Sequence, residues 1–364
     1  MSNLFKLAFL SSSDFTIPIL ENILESEAKS LQEILTEQLL FLQKNQARIK
    51  QSGFLEIKNS LTKIKSKILN KKLKLELVIS QPDRKNRKKT IANPISKLAR
   101  EKNLNLLTPN KINQEHQNFQ PSLNSLDMAL TASFGQIISS QVLKLPKFGF
   151  INWHPSLLPK YRGATPMQSA IACGESITGL SWIEMTPKMD AGEVLLQLTE
   201  KIEHETDFNQ LAKKMASLGQ NTWLIAILSE VLRQSDPENK TSQKQANKEA
   251  TFTKMLDKKD AVIDPSLLTA NQVFNHYKAY QNFPKTVFLE TEKFKQKLIL
   301  NQVSLSQGFK PLDSEIIYSG KELIQVKQDK TLKTFLKCKD QTHLELKKIT
   351  TEQGKQIDLQ GVVL

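Results

Sequence analysis

Asn152 and His154 stand two residues apart in the run Phe150-Ile151-Asn152-Trp153-His154, which Pro155 follows at once. If Phe150 to Trp153 is a strand, its period of two turns the carboxamide and the imidazole to one side. They then project together near the strand's carboxyl end, where open α/β sheets hold their ligands. Pro155, Pro159 and Gly163 make the next stretch irregular loop, a usual carrier of binding backbone. Further on, Met189-Asp190-Ala191-Gly192 ends a turn before a strand at 193–198, so Asp190 can approach His154 from a neighbouring loop. Amide, imidazole and carboxylate form a set suited to non-covalent acyl transfer. The Asn152 N–H donates to a developing oxyanion, and His154 donates when charged or moves a proton. Asp190 holds the imidazole's protonation state and positions a water. No Ser or Cys occupies a nucleophile elbow, so direct transfer between two bound substrates fits better than a covalent intermediate. Asn-x-His alone is a sparse pattern, and a single histidine at a strand end is more often structural.

The elements around this run alternate. Residues 4–10 read as a first strand, too short for a secretory core, and Ser13-Asp14 stands at a helix N-cap position. Strands at 75–79, 104–107, 128–132, 149–153 and 179–185 take turns with helices at 94–102, 137–143 and 165–172. That order predicts an α/β domain with a mainly parallel, Rossmann-like sheet. One long amphipathic helix is expected over 208–232. Between the first helix and the second strand, residues 26–72 carry two apolar stripes at helical spacing, joined near Gly53, the second strongly basic. A packing helical hairpin is favoured there over a dedicated RNA-binding element. The polar run 234–250 reads as a linker. Beyond it, a helix at 267–280 and short β-prone runs at 286–289, 297–300, 323–326, 334–337 and 344–349 suggest a small barrel. The division is thus 1–233, a linker at 234–250, and 251–364. Ser11-Ser12-Ser13 replaces any glycine-rich phosphate loop after the first strand, which disfavours a nucleotide site there.

Composition narrows the class. The chain has 364 residues, two cysteines and a net charge of +14. Its length suggests two domains, and its apolar runs all fall short of about 20 residues, so no membrane span is expected. Cys173 and Cys338 build no disulfide framework, no Cys or His pair has zinc spacing, and no metal is expected. Cys173 reads as structural, and His116, His204, His276 and His343 are scattered among polar neighbours. Residues 51–100 hold 14 Lys and Arg against 3 Asp and Glu, which is 11 of the net +14. The densest part, Arg84-Lys85-Asn86-Arg87-Lys88-Lys89, is a basic loop beside a strand. It suits a phosphate backbone, against the plainer reading of a solvated loop.

The run Asn152-Trp153-His154-Pro155-Ser156-Leu157-Leu158-Pro159-Lys160-Tyr161-Arg162-Gly163-Ala164-Thr165-Pro166, with Asp190-Ala191-Gly192 behind it, resembles the signature of folate-dependent formyltransferases. Residues 162–168 have the character of the methionyl-tRNA branch. Phe9 to Pro18, Gln81 to Lys89, Ala132 to Ile138, Gln245, Ala250 to Lys254 and Glu352 to Lys355 also resemble family segments, so the likeness extends over nearly the whole chain. The resemblance implies formyl transfer from 10-formyltetrahydrofolate to the α-amine of methionyl-initiator-tRNA in a cytoplasmic, monomeric enzyme. It implies Asn152, His154 and Asp190 as the catalytic trio. Ser156, Leu157, Leu158 and Pro159, with Phe134, Gly135, Gln136 and Ile137, become folate contacts. Arg84, Lys85, Arg87, Lys88 and Lys89 become tRNA contacts, and 251–364 an oligonucleotide-binding type of barrel. A transferase acting on a small amine and a non-catalytic RNA-binding protein are the alternatives. The chain departs from the family at Ser11–Ser13, where glycine is usual, in the glycine-free basic loop, and in the insertion at 26–72.

Overall fold

The computed structural model describes residues 3–27, 29–49, 54–86, 89–236, 242–283, 285, 287–288, 298–305, 315–319, 323–328, 331–351 and 354–360. The chain divides into two compact units. One is Met1–Pro166 with Ile177–Lys201 and Leu211–Thr253; the other is Met167–Ser176 with Ile202–Gln210 and Lys254–Leu364.

The first unit is built on seven strands: β1 (Leu4–Ser11), β2 (Lys72–Ile79), β5 (Leu106–Leu107), β6 (Met128–Ala132), β7 (Phe150–His154), β9 (Ile177–Glu184) and β10 (Val194–Lys201). Outside that sheet, β3 (Arg84–Asn86) pairs with β4 (Lys89–Ile91), and β8 (Arg162–Gly163) with β11 (Phe252–Thr253). The sheet order is β10-β9-β7-β6-β1-β2-β5. The first five strands in chain order are mutually parallel, and β9 and β10 are antiparallel additions at one edge. β1 and β6 are apolar on both faces, with Leu7, Ala8, Phe9 and Leu10 wholly buried, as strands covered on both sides must be. The chain winds outward from β1 through β2 to β5, then returns to β6 on the other side of β1. This puts the topological switch between the carboxyl ends of β1 and β6, where such sheets bind ligands.

Three differences from the sequence reading have physical causes. The helix expected over 208–232 is two helices, Phe208–Gln220 and Trp223–Ser235. Thr222 turns out of helical geometry between them, its hydroxyl donating to Leu218 O (2.6 Å) and accepting from Trp182 Nε1 (2.9 Å). One turn before the break, Gly219 leaves room for the buried Trp153 to lie directly against the helix. The basic segment is a short antiparallel ribbon, β3–β4, instead of an irregular loop. The insertion holds the helices Leu31–Lys44, Phe54–Leu61 and Ser66–Leu69 rather than two; Gly53, the expected joint, lies outside the described residues.

That insertion supports the sheet. Because the Thr222 hydroxyl is already committed, it makes no cap bond to the helix it precedes. Gln38, buried on the helix Leu31–Lys44, supplies one instead: its Oε1 accepts from Leu224 N (3.0 Å) and Ile225 N (3.2 Å). Helix N-termini leave such donors unsatisfied unless a side chain reaches them. Ile49 bridges Leu198 and Arg48 pairs with the buried Glu200 at 2.8 Å, both on the edge strand β10. Gln243 bridges Val194 further along the same strand. An exposed edge is a template for unwanted pairing, and here two remote segments cover it.

The second unit is an antiparallel sheet, ordered 262–263, 287–288, 298–305, 343–351, 331–337, 323–328, 315–319, with 356–358 added beside 343–351. Only its first pair is parallel. The helix Ala270–Ala279, capped reciprocally by Thr269 and Gln272, packs Val273 and Phe274 into a core with Leu298, Leu300, Leu336, Leu344, Leu346 and Ile349. Among the described residues no ladder closes the sheet into a barrel. No helix among them is long and apolar enough to cross a membrane.

Gln38→Leu preserves size but leaves two helix N–H groups unbonded, so the urea midpoint should fall by the equivalent of about 1–3 kcal/mol. In the second unit, burial pushes the His276 imidazole down to about 4, against the opposing pull of Asp260. A depressed base contributes stability that is full above its ordinary value near 6.5 and is lost as pH falls towards about 4. Urea unfolding followed at pH 7.5 and pH 4.5 should show a loss of roughly 2–3 kcal/mol that His276→Phe removes.

Candidate active site

β7 turns Asn152 and His154 the same way, as the two-residue period requires, and the parallel pairing of β6 with β7 sets Thr131 opposite Asn152. Thr131 Oγ1 lies 2.8 Å from Asn152 Oδ1, within 3.1 Å of Ile151 O and 3.0 Å from Met185 Sδ. Asn152 Nδ2 faces Asp190 Oδ1 at 3.4 Å. A carboxylate only accepts, so the amide group of Asn152 must point its nitrogen there and its oxygen at Thr131. Among the described residues Asp190 is the sole acceptor from this amide, which leaves its second hydrogen to a ligand.

His154 is 3% exposed. Its Nε2 lies 3.0 Å from Tyr161 O. A carbonyl oxygen cannot donate, so Nε2 carries the hydrogen, and any proton the ring gains or loses sits on Nδ1. Nδ1 is 3.6 Å from Asp190 Oδ2. That same oxygen accepts from Gly163 N at 2.8 Å. Asp190 itself has φ +49°, the left-handed region, where its short polar side chain is tolerated. Gly163, at φ +112°, lets β11 approach: a Cβ there would collide with Thr253 O. Asp190, 36 or more positions further along the chain, is thus brought beside Asn152 and His154, which β7 carries two residues apart.

The segment after β7 is held from beneath. Ser156 Oγ donates to Lys160 O at 2.7 Å, and Ser181 Oγ donates to Ser156 O at 2.6 Å while accepting from Leu158 N. Gln197 Nε2 donates to Leu158 O at 3.0 Å. Ser156 and Leu158 are buried, Leu158 against Ile183 and Val194, while Leu157 and Pro159 are half-buried. Ser156 and Leu158 thus shape this loop, and Leu157 and Pro159 are the two with side-chain surface. In the loop after β6, Phe134 is buried and Gln136 bonds Ile112 N and Pro109 O, whereas Gly135 is exposed and Ile137 presents 71% of its surface. This loop meets Ser11–Ser13 at the switch point. Ser12 Oγ donates to Phe134 O (3.1 Å), Ser13 Oγ bonds Ser133 Oγ (2.9 Å), and Gln81 Nε2 donates to Phe134 O (2.8 Å). Serine hydroxyls here cross-link two loops where a glycine would only bend. A cavity of about 360 Å³ is lined by Leu143, Phe148, Phe150, Glu184, Met185 and Thr186 among others; none of the expected folate residues lines it.

Arg84 and Lys85 are exposed on β3. Asp83 anchors the ribbon's base by accepting from Asn93 N (3.0 Å) and Arg100 (3.0 Å), bonds that hold its carboxyl below the ordinary range. Arg87 and Lys88 lie outside the described residues, and Lys89 opens β4. No group of three or more His, Cys, Asp or Glu among the described residues is placed to hold a metal.

Sequence reasoning missed the residues that orient the trio. Thr131 carries no local signal, because only strand register sets it beside Asn152. Gln245 and Asn247 sit in the polar run read as a linker, yet both bond the buried Arg162 guanidinium. Burial lowers Arg162 from its ordinary value, while the Asp190 charge opposes that.

A mostly parallel α/β sheet with an amide, an imidazole and a carboxylate gathered at one strand end defines an acyl-transfer class of site. Comparison with known proteins places it more narrowly. Residues 51–228 match the Formyl transferase family model. The chain is 36% identical over 230 residues to methionyl-tRNA formyltransferase of Mesoplasma florum, covering 62% of this chain and 71% of that one. To the methionyl-tRNA formyltransferase of Thermotoga neapolitana it is 37% identical over 210 residues, 57% of this chain and 65% of that one. The chain belongs to the formyl transferase family. It spans 65% of the Thermotoga relative's length and 58% of a Prochlorococcus marinus relative's, so the likeness is less extensive than the motifs suggested. Among solved structures, the sugar 3N-formyl transferase WlaRD, crystallised with dTDP and 5-N-formyl-THF, superposes with a TM-score of 0.52 at 13% identity, covering 94% of this chain and 97% of that one. The N-formyltransferase of Helicobacter canadensis, in complex with folinic acid and dTDP-3-aminofucose, superposes with a TM-score of 0.52 at 14% identity, covering 95% and 99%. These two show the fold.

Thr131→Val keeps the shape of the residue and removes the hydroxyl that holds the Asn152 amide. Turnover at this site should fall roughly tenfold with little change in KM, the worth of one lost hydrogen bond; steady-state kinetics of parent and variant check it.

Proposed function

We propose that this chain transfers the formyl group of 10-formyltetrahydrofolate to the α-amine of methionyl-initiator-tRNA. The observation that carries the reading is the convergence of Asn152 (3.4 Å) and His154 (3.6 Å) on Asp190, in a chain similar to methionyl-tRNA formyltransferases. The neutral α-amine attacks the formyl carbon, a C–N bond forms, and negative charge gathers on the formyl oxygen. The free N–H of Asn152 and the Nδ1–H of charged His154 donate to that oxygen. Asp190 keeps both donors aimed and takes the proton that the attacking amine sheds, which passes on to N10 of the folate as the C–N10 bond breaks. No covalent enzyme intermediate is needed.

Folate docks over the loops at the switch point, with the exposed Ile137 and Gly135, and Leu157 and Pro159, as its surface contacts. Phe134, Gln136, Ser156 and Leu158 hold those loops in shape. Arg84 and Lys85, continued by Arg87, Lys88 and Lys89, contact tRNA phosphates and supply the salt-sensitive part of affinity. Residues 251–364 act as an oligonucleotide-binding type of domain, and the enzyme works as a monomer in the cytoplasm without a metal.

The test is a formyl-transfer assay with charged initiator tRNA and 10-formyltetrahydrofolate. Asn152→Ala should lower turnover by roughly 10²–10³, as removal of an oxyanion donor does elsewhere, and His154→Ala should abolish product. A parent protein that formylates a small amine but not methionyl-tRNA would refute the tRNA assignment.

A further inference from the structure

We infer that Gln245 is a positioning residue for this transfer: its carboxamide clamps the Asp190 turn to the strand Arg162–Gly163. The inference rests on the function proposed above. Gln245 Nε2 donates to Asp190 O and to Gly192 O, each at 2.8 Å. Its Oε1 accepts from Arg162 Nε (3.1 Å) and Nη2 (2.8 Å). The orientation of this amide is dictated by its partners, because guanidinium nitrogens only donate and carbonyl oxygens only accept. All four bonds are satisfied at once only in this pose.

The two segments joined in this way, one through the Arg162 side chain, carry the groups that face the His154 ring. Tyr161, next to Arg162, provides the carbonyl that fixes Nε2, and Asp190 provides the carboxylate facing Nδ1. Gly163 N bonds the same carboxylate. The segment carrying Gln245 is tied down further along. Arg162 N donates to Thr251 O (2.9 Å), Tyr161 N donates to Thr251 Oγ1 (2.8 Å), and Thr165 N donates to Thr253 Oγ1 (3.0 Å). Asp190 holds a positive φ, which its short polar side chain tolerates. Without the two donors from Gln245 the turn is released from that segment, and its carboxylate drifts from Asn152 and His154. A misplacement near 1 Å at such a group costs on the order of 10² in rate.

Gln245→Glu separates this role from a merely structural one. The variant keeps its shape and its partnership with Arg162, gaining an ion pair, but offers the two carbonyls no donor. Single-turnover formyl transfer should slow by roughly 10- to 100-fold, with KM for folate and for tRNA within about threefold of the parent. Hydrogen exchange over 186–192 should quicken while 150–154 and 177–184 stay as they are. In an Asp190→Asn background the same change should cost almost nothing more, since both act through one group. Unchanged turnover, unchanged exchange over 186–192, or an equal further loss in that background would each overturn the inference. Should the Glu variant not fold, Gln245→Met carries the same expectations. A parent protein that makes no formyl-methionyl-tRNA refutes the proposed function instead, and the exchange measurement still decides whether the clamp exists.

Discussion

One carboxylate organises the site. Asp190 faces the amide of Asn152, the imidazole of His154 and the backbone N–H of Gly163 at once. Two of these groups come from β7 and the third from the strand Arg162–Gly163, so the carboxylate ties the two segments to its own turn. A partly buried carboxylate with two N–H donors and an imidazole around it is a point about which they arrange. From outside the turn, Gln245 donates to the backbone carbonyls of Asp190 and Gly192. The rest of the first unit serves to bring these segments to the carboxyl end of β7.

Support for that arrangement also comes from polar groups placed beneath loops. Ser181 and Gln197 hold the segment after β7, and Ser12, Ser13 and Gln81 hold the loop after β6. Buried networks of this kind are costly when partly satisfied and rigid when complete. The insertion works at the sheet's other margin. It caps a buried helix through Gln38 and covers part of the β10 edge through Arg48 and Ile49, a packing role that agrees with its apolar stripes.

Much of this was legible in the residues. Alternation of strand and helix identified the parallel sheet, and period two in Phe150–His154 set Asn152 and His154 on one side. The break at Asn221-Thr222 was not legible, because the apolar periodicity runs straight through it. At the break Thr222 gives its hydroxyl to Leu218 O and accepts from the Trp182 indole, and Trp153 lies against Gly219, contacts that come from the sheet. The polar run after 234 was likewise opaque: composition describes what a segment lacks, and Gln245 acts through hydrogen bonds to residues more than 50 positions away.

The sequence alone determined the chemistry on offer and the local geometry that bears it: an amide and an imidazole two apart on a strand, a carboxylate in a turn, and a concentration of charge near Arg84. These follow from residue type and from periods of two or about 3.6 residues, which are local properties of the backbone. Only the tertiary structure decided which groups orient that chemistry. Thr131 meets Asn152 because β6 and β7 pair in one register, and Gln38 meets its helix across more than 180 residues. Such contacts depend on strand register and packing, long-range outcomes of burying the whole apolar surface together, and no window of sequence contains them.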